Sequence, residues 1–296
     1  MLLQAVLLKA PTLNPIDNIE NAITRWYNAL ESLIAMVQVD PTSQGRIGAL
    51  INNLINNVTV PVGDALVVLC FFIGIFGAGA TMAETKRPEA AVRLFVRTAI
   101  AGSFVTKGYT LVTKILGIGQ SLVGDFAGYS SVNGVLQAGE APKIPNEIKT
   151  AIENLPVIPG LIVMVIGLIG SIAITVCTFV VLLTVYGRWF KIYMYMIVSP
   201  IPLATLASKT TQNIAIQFLR NFVAVTLEGI VMVMAVWVYK ELSDYIGWAV
   251  IPTTLDPSMS ASTMVFTYLE FTVFNMLILL TVIKTSSQLA KEMFGV

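Results

Sequence analysis

The sequence contains no histidine and only two cysteines, and charged residues occupy just 12% of its 296 positions. Without histidine, catalytic triads and metal sites that depend on an imidazole are excluded. Cys70 and Cys177 each lie within an apolar run, which favours packing as small hydrophobic side chains over a disulfide or a reactive thiol. Soluble domains carry about 25% charged residues, so the low charge is atypical of a soluble protein.

Hydrophobic residues are abundant, at 56% of the chain, and the mean hydropathy is +0.79. Several apolar runs reach the roughly 20 residues that a helix needs to cross a hydrocarbon core about 30 Å thick. Strands of a membrane barrel would be about 10 residues long and would alternate in polarity. The composition therefore predicts an all-α, polytopic membrane protein. Five spans are predicted, at residues 62–82, 88–123, 160–186, 222–239 and 263–283.

Amphipathic segments precede the first span. Apolar residues recur at three- and four-residue steps from Ile16 to Val37, and a shorter repeat over residues 47–58 has asparagines on its opposite side. This spacing predicts external amphipathic helices within residues 1–61. Two interpretations of their apolar faces are open: the helices lie on the bilayer surface, or they form a collar that packs against neighbouring subunits.

The second predicted span, residues 88–123, is unusually basic. Together with the first span it makes up the predicted membrane domain of residues 62–123. Four cations of the second span fall within an arc of about 100° and are spread over about 30 Å of helix axis. They are Arg93, Arg97, Lys107 and Lys114. They either extend to the bilayer ends and pair with acids on neighbouring helices, or line a path for a polyanion. Gly102 and Gly108 leave open whether this segment is one helix or two.

A polar, mildly acidic segment at residues 124–159 is predicted to be an external loop with a short helix at residues 146–154. The C-terminal membrane domain, residues 160–296, opens with the strongest span, which ends in basic and aromatic residues. Positive residues favour the cytoplasmic side of a membrane, and aromatic residues favour its interface. Arg188, Trp189 and Lys191 are therefore predicted to lie at the cytoplasmic interface.

Residues 192–207 are barely long enough to cross the bilayer, and two prolines remove backbone donors from their middle. If this segment crossed fully, the basic residues Lys209 and Arg220 would lie on the side of the acidic loops. A re-entrant hairpin instead places every basic cluster on one side, with the N-terminus outside and the C-terminus in the cytoplasm. Its turn is predicted at Ser199, Pro200, Ile201 and Pro202. Such backbone must be covered by protein or water, so the hairpin should face a subunit contact or a cavity.

Two acids, Glu228 and Glu270, fall well inside the last two predicted spans, where a bare charge costs at least about 2.5 to 3.5 kcal/mol. Both are predicted to be buried. They either pair with Arg93, Arg97 or Lys107, or belong to a water-filled pathway or a proton site. No phosphate-binding loop, paired-cysteine metal site or other enzyme motif accompanies them, so the chain is predicted not to be an enzyme.

The block from Leu161 to Tyr239 contains VYGRWFKIYMYMIVSPIPLATLA and, after an amphipathic stretch, FVAVTLEGIVMVMAVWVYKEL. It resembles the TrbL/VirB-six-like family, the polytopic membrane-channel subunits of type IV secretion and conjugation machines. The resemblance is strongest to the short versions found in Gram-positive conjugative elements, and over residues 1–158 it is mainly topological. The resemblance implies an external N-terminus, about five spans and a cytoplasmic C-terminus, in agreement with the topology that the charges predict.

The resemblance also implies a function. A subunit of this family would form a homo-oligomeric ring in the cell (inner, cytoplasmic) membrane, beside the secretion ATPases and the coupling protein. It would help to pass single-stranded DNA with bound relaxase across the membrane. We expect no cofactor, but we expect bound phospholipid between the subunits. The alternative is a small-solute transporter, suggested by a broken helix near buried acids, although transporters with inverted repeats should show two similar halves.

Overall fold

The structure is a computed structural model that describes residues 14–39, 45–79, 88–132, 143–246 and 259–296. All regular structure within these ranges is helical. The helices are α1 (Pro15–Gln38), α2 (Gly45–Leu54), α3 (Val60–Gly79), α4 (Pro88–Val132), α5 (Asn146–Glu153), α6 (Val157–Val198), α7 (Pro200–Ala204), α8 (Gln212–Ile246) and α9 (Ala261–Met293). A π-helical turn, Ile55–Thr59, joins α2 to α3, and a 3-10 turn, Thr205–Ala207, follows α7.

Four stretches are long and apolar enough to cross a membrane: Gly45–Phe76, Val157–Val198, Gln212–Tyr239 and Ala261–Met293. They confirm the prediction of an all-α, polytopic membrane protein. Helix α4, the second predicted span, is not among them, because its basic residues dilute an otherwise apolar sequence. A membrane crossing by α4 stays a prediction.

Helix α4 is one continuous helix of 45 residues, which answers the question left open by its two glycines. It continues to Val132, so the predicted loop at residues 124–159 begins inside a helix. The short helix predicted within that loop is confirmed as α5. The glycines and serines from Gly124 to Val132 suggested a loop, but both residue types are tolerated in the last turns of a long helix.

Contacts divide the chain into two compact units. The first unit comprises Met1–Gln38, Gly124–Tyr186 and Ile230–Ser286, and the second comprises Val39–Val123, Gly187–Gly229 and Ser287–Val296. The two cysteines are free and buried, Cys177 in the first unit and Cys70 in the second, as expected of packing residues.

In the first unit, α1 buries its apolar face within the chain itself. Trp26 is 1% exposed and Ile19 is equally buried. A Cβ added at Gly167 of α6 would lie 3.4 Å from the Ile19 side chain. On the polar side, the Glu20 carboxylate lies 2.7 Å from the Lys149 amine. Both interpretations of the apolar face, on the bilayer or against other subunits, are therefore wrong for α1. Periodicity shows that a face is buried but not what covers it.

In the second unit, α2 and α3 form one continuous helix through the π-helical turn, so the predicted boundary at residue 61 falls inside a helix. Pro61 has no amide hydrogen for the carbonyl four residues earlier. The turn next to it uses longer hydrogen bonds, and the Val60 amide donates to the Ile55 carbonyl five residues back. A proline inside a helix is thus accommodated by a local change in helix type.

The core of the second unit joins four helices. The buried side chains that form it come from the continuous α2–α3 helix, α4, α6 and α8: Ile51, Ile55, Val112, Leu116, Ile192, Met196, Phe222 and Val225. Glycines allow close approach around this core, since a Cβ added at Gly119 of α4 would overlap the Cγ2 methyl of Thr226 of α8. This packing fixes which side of α4 faces inward.

Candidate functional site in the second unit

Arg188 lies inside the second unit and is 2% exposed. Its Nε donates to the Val225 carbonyl at 3.3 Å, and its Nη2 donates to the Thr226 carbonyl at 2.9 Å. The side chain of Arg188 is therefore turned into the protein, and the level of Arg188, Trp189 and Lys191 at the cytoplasmic interface stays a prediction. Arg188 shares one face of α6 with the buried residues Val185 and Ile192, at three- and four-residue spacing, so it points into the bundle.

Glu228 of α8 attracts this guanidinium electrostatically and is 1% exposed. Its Oε1 accepts from the Lys191 amine at 3.4 Å, and the same amine donates to Ser287 Oγ at 3.3 Å. Arg188 adds a second electrostatic attraction to Glu228. Glu228 Oε2 has no hydrogen-bond partner in the part of the chain that the structure describes. The cluster therefore holds one carboxylate against a buried guanidinium and a half-exposed amine.

The prediction that Glu228 pairs with Arg93, Arg97 or Lys107 is wrong, because its cationic neighbours both come from α6. Burial of Glu228 itself is confirmed. Glu270 of α9 differs, since its side chain is exposed on the protein surface. The depth of Glu270 in the membrane stays a prediction, and its side chain is not covered by the chain itself, because position along a span does not determine the face on which a residue lies.

The basic residues of α4 remain at the surface of the second unit. Arg93, Lys107 and Lys114 are exposed and Arg97 is half-buried. Within the described ranges none of these four forms an ion pair. The buried stripe of the same helix lies to one side of them and consists of Ala101, Val105, Val112 and Leu116. Among the described residues these α4 cations therefore have no acidic partner, and the predicted pairing with acids is not seen.

One end of the basic stripe borders a surface groove of about 300 Å³. The groove, called the arginine groove below, is lined by Arg93, Val96, Arg97, Ile100, Phe104, Leu206 and Gln212. The Nη2 of Arg97 donates to Gln212 Oε1 at 2.8 Å. Gln212 was missed by sequence reasoning, although a polar residue at the first position of an apolar helix is a signal that could have found it.

The proline-containing segment is buried but does not turn where predicted. Ser199, Pro200 and Pro202 are buried and Ile201 is half-buried, but Ser199 keeps helical angles of φ −50° and ψ −37°. The chain leaves helical conformation only at Ser208, with φ −117° and ψ 144°. The predicted turn at residues 199–202 is therefore wrong. A proline in the first turn of a helix removes a donor that has no partner there, so it need not reverse the chain.

This segment is covered by other parts of the second unit. A Cβ added at Gly63 of α3 would lie 3.0 Å from the Pro200 carbonyl oxygen, and one at Gly108 of α4 would lie 2.9 Å from the Leu203 side chain. The cover thus comes from α3 and α4 of the same chain. Whether residues 192–207 enter and leave the membrane on one side stays a prediction.

The comparison with known proteins gives one family. The family described as TrbL/VirB6 plasmid conjugal transfer like protein matches residues 29–200, more than half of the chain. No curated protein and no solved structure matches the chain. The match begins within α1, includes all of α4 and stops at the proline segment. The prediction that the resemblance is clearest over the C-terminal half is therefore wrong, because apolar helices with aromatic ends occur in many membrane proteins. This chain belongs to the TrbL/VirB6-like family of conjugal transfer membrane proteins.

Proposed function

We propose that this chain is a channel or scaffold subunit that helps to move relaxase-bound single-stranded DNA across the cytoplasmic membrane. The family match over residues 29–200 carries the proposal, and the four apolar helices support it. In this proposal the subunit forms a homo-oligomeric ring beside the secretion ATPases and the coupling protein. Its N-terminus is external and its C-terminus is cytoplasmic, as the charge distribution predicts.

Helix α4 supplies the residues that would meet DNA. Lys107 and Lys114 are exposed, and neither is neutralised by an ion pair in the described part of the chain. Amines attract phosphates without regard to base sequence, which is what a conduit for any transferred strand requires. In a ring, one such flank from each subunit would give the path a repeated positive surface.

The test is conjugative transfer from donor cells that lack the native gene and carry Lys107→Glu/Lys114→Glu. We expect the transfer frequency to fall roughly tenfold or more, because two repelling carboxylates replace two attracting amines on every subunit. The matched control is Arg220→Glu/Lys284→Glu, which reverses two exposed cations on α8 and α9. This control should transfer at the wild-type frequency. Immunoblots of the membrane fraction confirm equal amounts of each variant.

Contact with DNA is measured separately, by formaldehyde crosslinking in mating donors followed by recovery of the subunit. The wild type should recover the transferred strand, and the lysine variant should recover much less of it. Unchanged transfer and unchanged crosslinking by a correctly assembled variant would exclude α4 from the DNA path. A strictly monomeric native mass in detergent would contradict the ring, and substrate-specific solute uptake by vesicles would favour a transporter instead.

A further inference from the structure

We propose that the arginine groove binds the phosphate of an anionic phospholipid at the edge of the bilayer, with an acyl chain lying along α4. The proposal goes beyond DNA transfer, because it assigns Arg93 and Arg97 to a ligand different from that of Lys107 and Lys114. It rests on the donors of the groove, on its level relative to the apolar helices and on the character of its walls.

The donors of the groove match a phosphate. Arg93 and Arg97 lie one helical turn apart, so both guanidinium groups reach the same side of α4. The bond from Arg97 to Gln212 uses one N–H of the five that a guanidinium carries and holds the group in place. The remaining donors can form paired hydrogen bonds with phosphate oxygens. Glu89, one turn before Arg93, is exposed and forms no ion pair with it.

The position of the groove along the apolar helices matches the depth at which lipid headgroups lie. Gln212 is the first residue of the apolar stretch Gln212–Tyr239, and Gly74 lies in the last turns of α3 (Val60–Gly79). A Cβ added at Gly74 would lie 2.8 Å from the Leu94 side chain and 3.7 Å from Ser208 Oγ. The end of one apolar helix, the start of another and the first turns of α4 therefore meet at one level. Ends of apolar helices lie at the bilayer interface.

The two lysines of the stripe lie elsewhere along α4. At 1.5 Å per residue, Lys107 and Lys114 are about 15 and 25 Å further along the helix axis than Arg97. A lipid phosphate bound at the arginines cannot contact them. The four cations therefore divide into a pair that phospholipid headgroups can reach and a pair that needs a water-filled path.

The walls of the groove suit an acyl chain better than a nucleotide strand. Val96, Ile100 and Phe104 lie four residues apart along α4, on the side that also carries the two arginines. Leu206 completes the apolar lining. Val96 and Ile100 are about half exposed, so an acyl chain would cover apolar surface that the chain itself leaves open. Single-stranded DNA would favour several aromatic faces for stacking, and Phe104 is the one aromatic residue among the lining residues.

The experiment measures lipid binding to the full chain by native mass spectrometry after delipidation in detergent. The probes are phosphatidylglycerol, phosphatidylcholine and glycerol 3-phosphate. We expect phosphatidylglycerol to bind about tenfold or more tightly than the other two, since it alone has both a net negative headgroup and acyl chains. Arg93→Gln/Arg97→Gln should weaken its binding about tenfold. The control Arg220→Gln/Lys284→Gln removes two exposed cations elsewhere and should leave binding unchanged.

Two further variants separate loss of the site from loss of the fold. Arg93→Gln alters an exposed side chain and leaves the Arg97–Gln212 bond in place, and it should weaken phosphatidylglycerol binding by a smaller factor. Ile100→Ser should weaken phosphatidylglycerol and have no effect on glycerol 3-phosphate. Unchanged phosphatidylglycerol binding in the double arginine variant would overturn the proposal. Equal affinity of the wild type for phosphatidylglycerol and glycerol 3-phosphate would also overturn it, because that result indicates a site for free anions. A single-stranded oligonucleotide is the last probe: if the double arginine variant lost oligonucleotide binding but kept phosphatidylglycerol binding, the groove would be a DNA site.

Discussion

Helices α6 and α4 are similar in length, with 42 and 45 residues, but they place their cations in opposite ways. Arg188 of α6 lies on the buried face between Val185 and Ile192, whereas Lys107 of α4 lies beside the buried stripe and remains exposed. Both cations occur within apolar sequence. The comparison shows that rotation about the helix axis, rather than the apolar context, decides whether a charge becomes part of the core.

The strongest test of this difference removes the buried guanidinium. Arg188→Met should lower the free energy of unfolding by about 3–5 kcal/mol, because Glu228 stays buried after losing one of its two cationic neighbours. Equilibrium unfolding in SDS, followed by tryptophan fluorescence, measures the change. Arg220→Met removes an exposed arginine of α8 and is expected to have no measurable effect.

A second variant identifies the cause of that loss. Arg188→Met/Glu228→Gln should recover part of the stability, since no carboxylate then needs the missing guanidinium. If Arg188→Met unfolded at the same SDS fraction as Arg220→Met, the burial of Arg188 would be contradicted.

The orientation of α4 depends on its contact with α8, and Gly119 tests that contact. Gly119→Ala should destabilise the protein by about 1–3 kcal/mol, because the new methyl group overlaps Thr226 Cγ2. Gly117 has nothing within 4 Å of an added Cβ, so Gly117→Ala should instead raise stability by about 0.5–1 kcal/mol through its better helix propensity. Thermal unfolding in detergent compares the two.

Rescue distinguishes a local overlap from a general loss of helix packing. Thr226→Ser removes the Cγ2 methyl and keeps the hydroxyl that donates to the Phe222 carbonyl at 2.9 Å. Gly119→Ala/Thr226→Ser should therefore unfold at nearly the temperature of Thr226→Ser alone. An absence of rescue would show that α4 and α8 do not meet at these two residues.

The smallest expected change in stability comes from replacing Glu228, and Glu270 serves as its comparison. Glu228→Gln should lower stability by about 1–2 kcal/mol, because Lys191 and Arg188 both lose their charged partner, whereas Arg188 keeps its bonds to the Val225 and Thr226 carbonyls and the volume is kept. Glu270→Gln changes an exposed residue and should cause no loss. Both are measured by unfolding in SDS. Equal losses from the two substitutions would show that depth in the span, rather than packing, controls the energy of these acids.

Much of the fold follows from sequence patterns that depend on large numbers of residues. Apolar length identified the helices that contain all four candidate spans, and periodicity identified α1 and α2. Boundaries were less predictable, since the predicted boundary at residue 61 and the predicted turn at residues 199–202 both fall within helical structure. Pro61 and Pro200 lie within or at the start of helices, where a π-helical turn or a first helical turn tolerates the missing donor.

The charged site was only partly predictable. Burial of Glu228 followed from its position in an apolar helix, but its partner Lys191 did not, because pairing across two helices depends on their relative rotation. Arg188 shows the same limit: the positive-inside rule uses the number of cations near a span, and this arginine is bound to the Val225 and Thr226 carbonyls instead. Only tertiary contacts distinguish a cation at an interface from one inside a bundle.

The π-helical turn has a consequence for how the gene can vary. Buried positions of the continuous helix, Ile51, Ile55, Thr59, Gly63 and Val67, recur every four residues, and each such step exceeds one α-helical turn by about 40°. A turn with longer hydrogen bonds rotates less per residue and brings the buried positions back into line. Deleting one codon within α3, outside this turn, would rotate the buried positions on either side of the deletion by about 100° relative to each other. Within the turn the longer hydrogen bonds already hold an extra residue, so a one-codon deletion that restores α-helical bonds should be tolerated better there than elsewhere in the continuous helix.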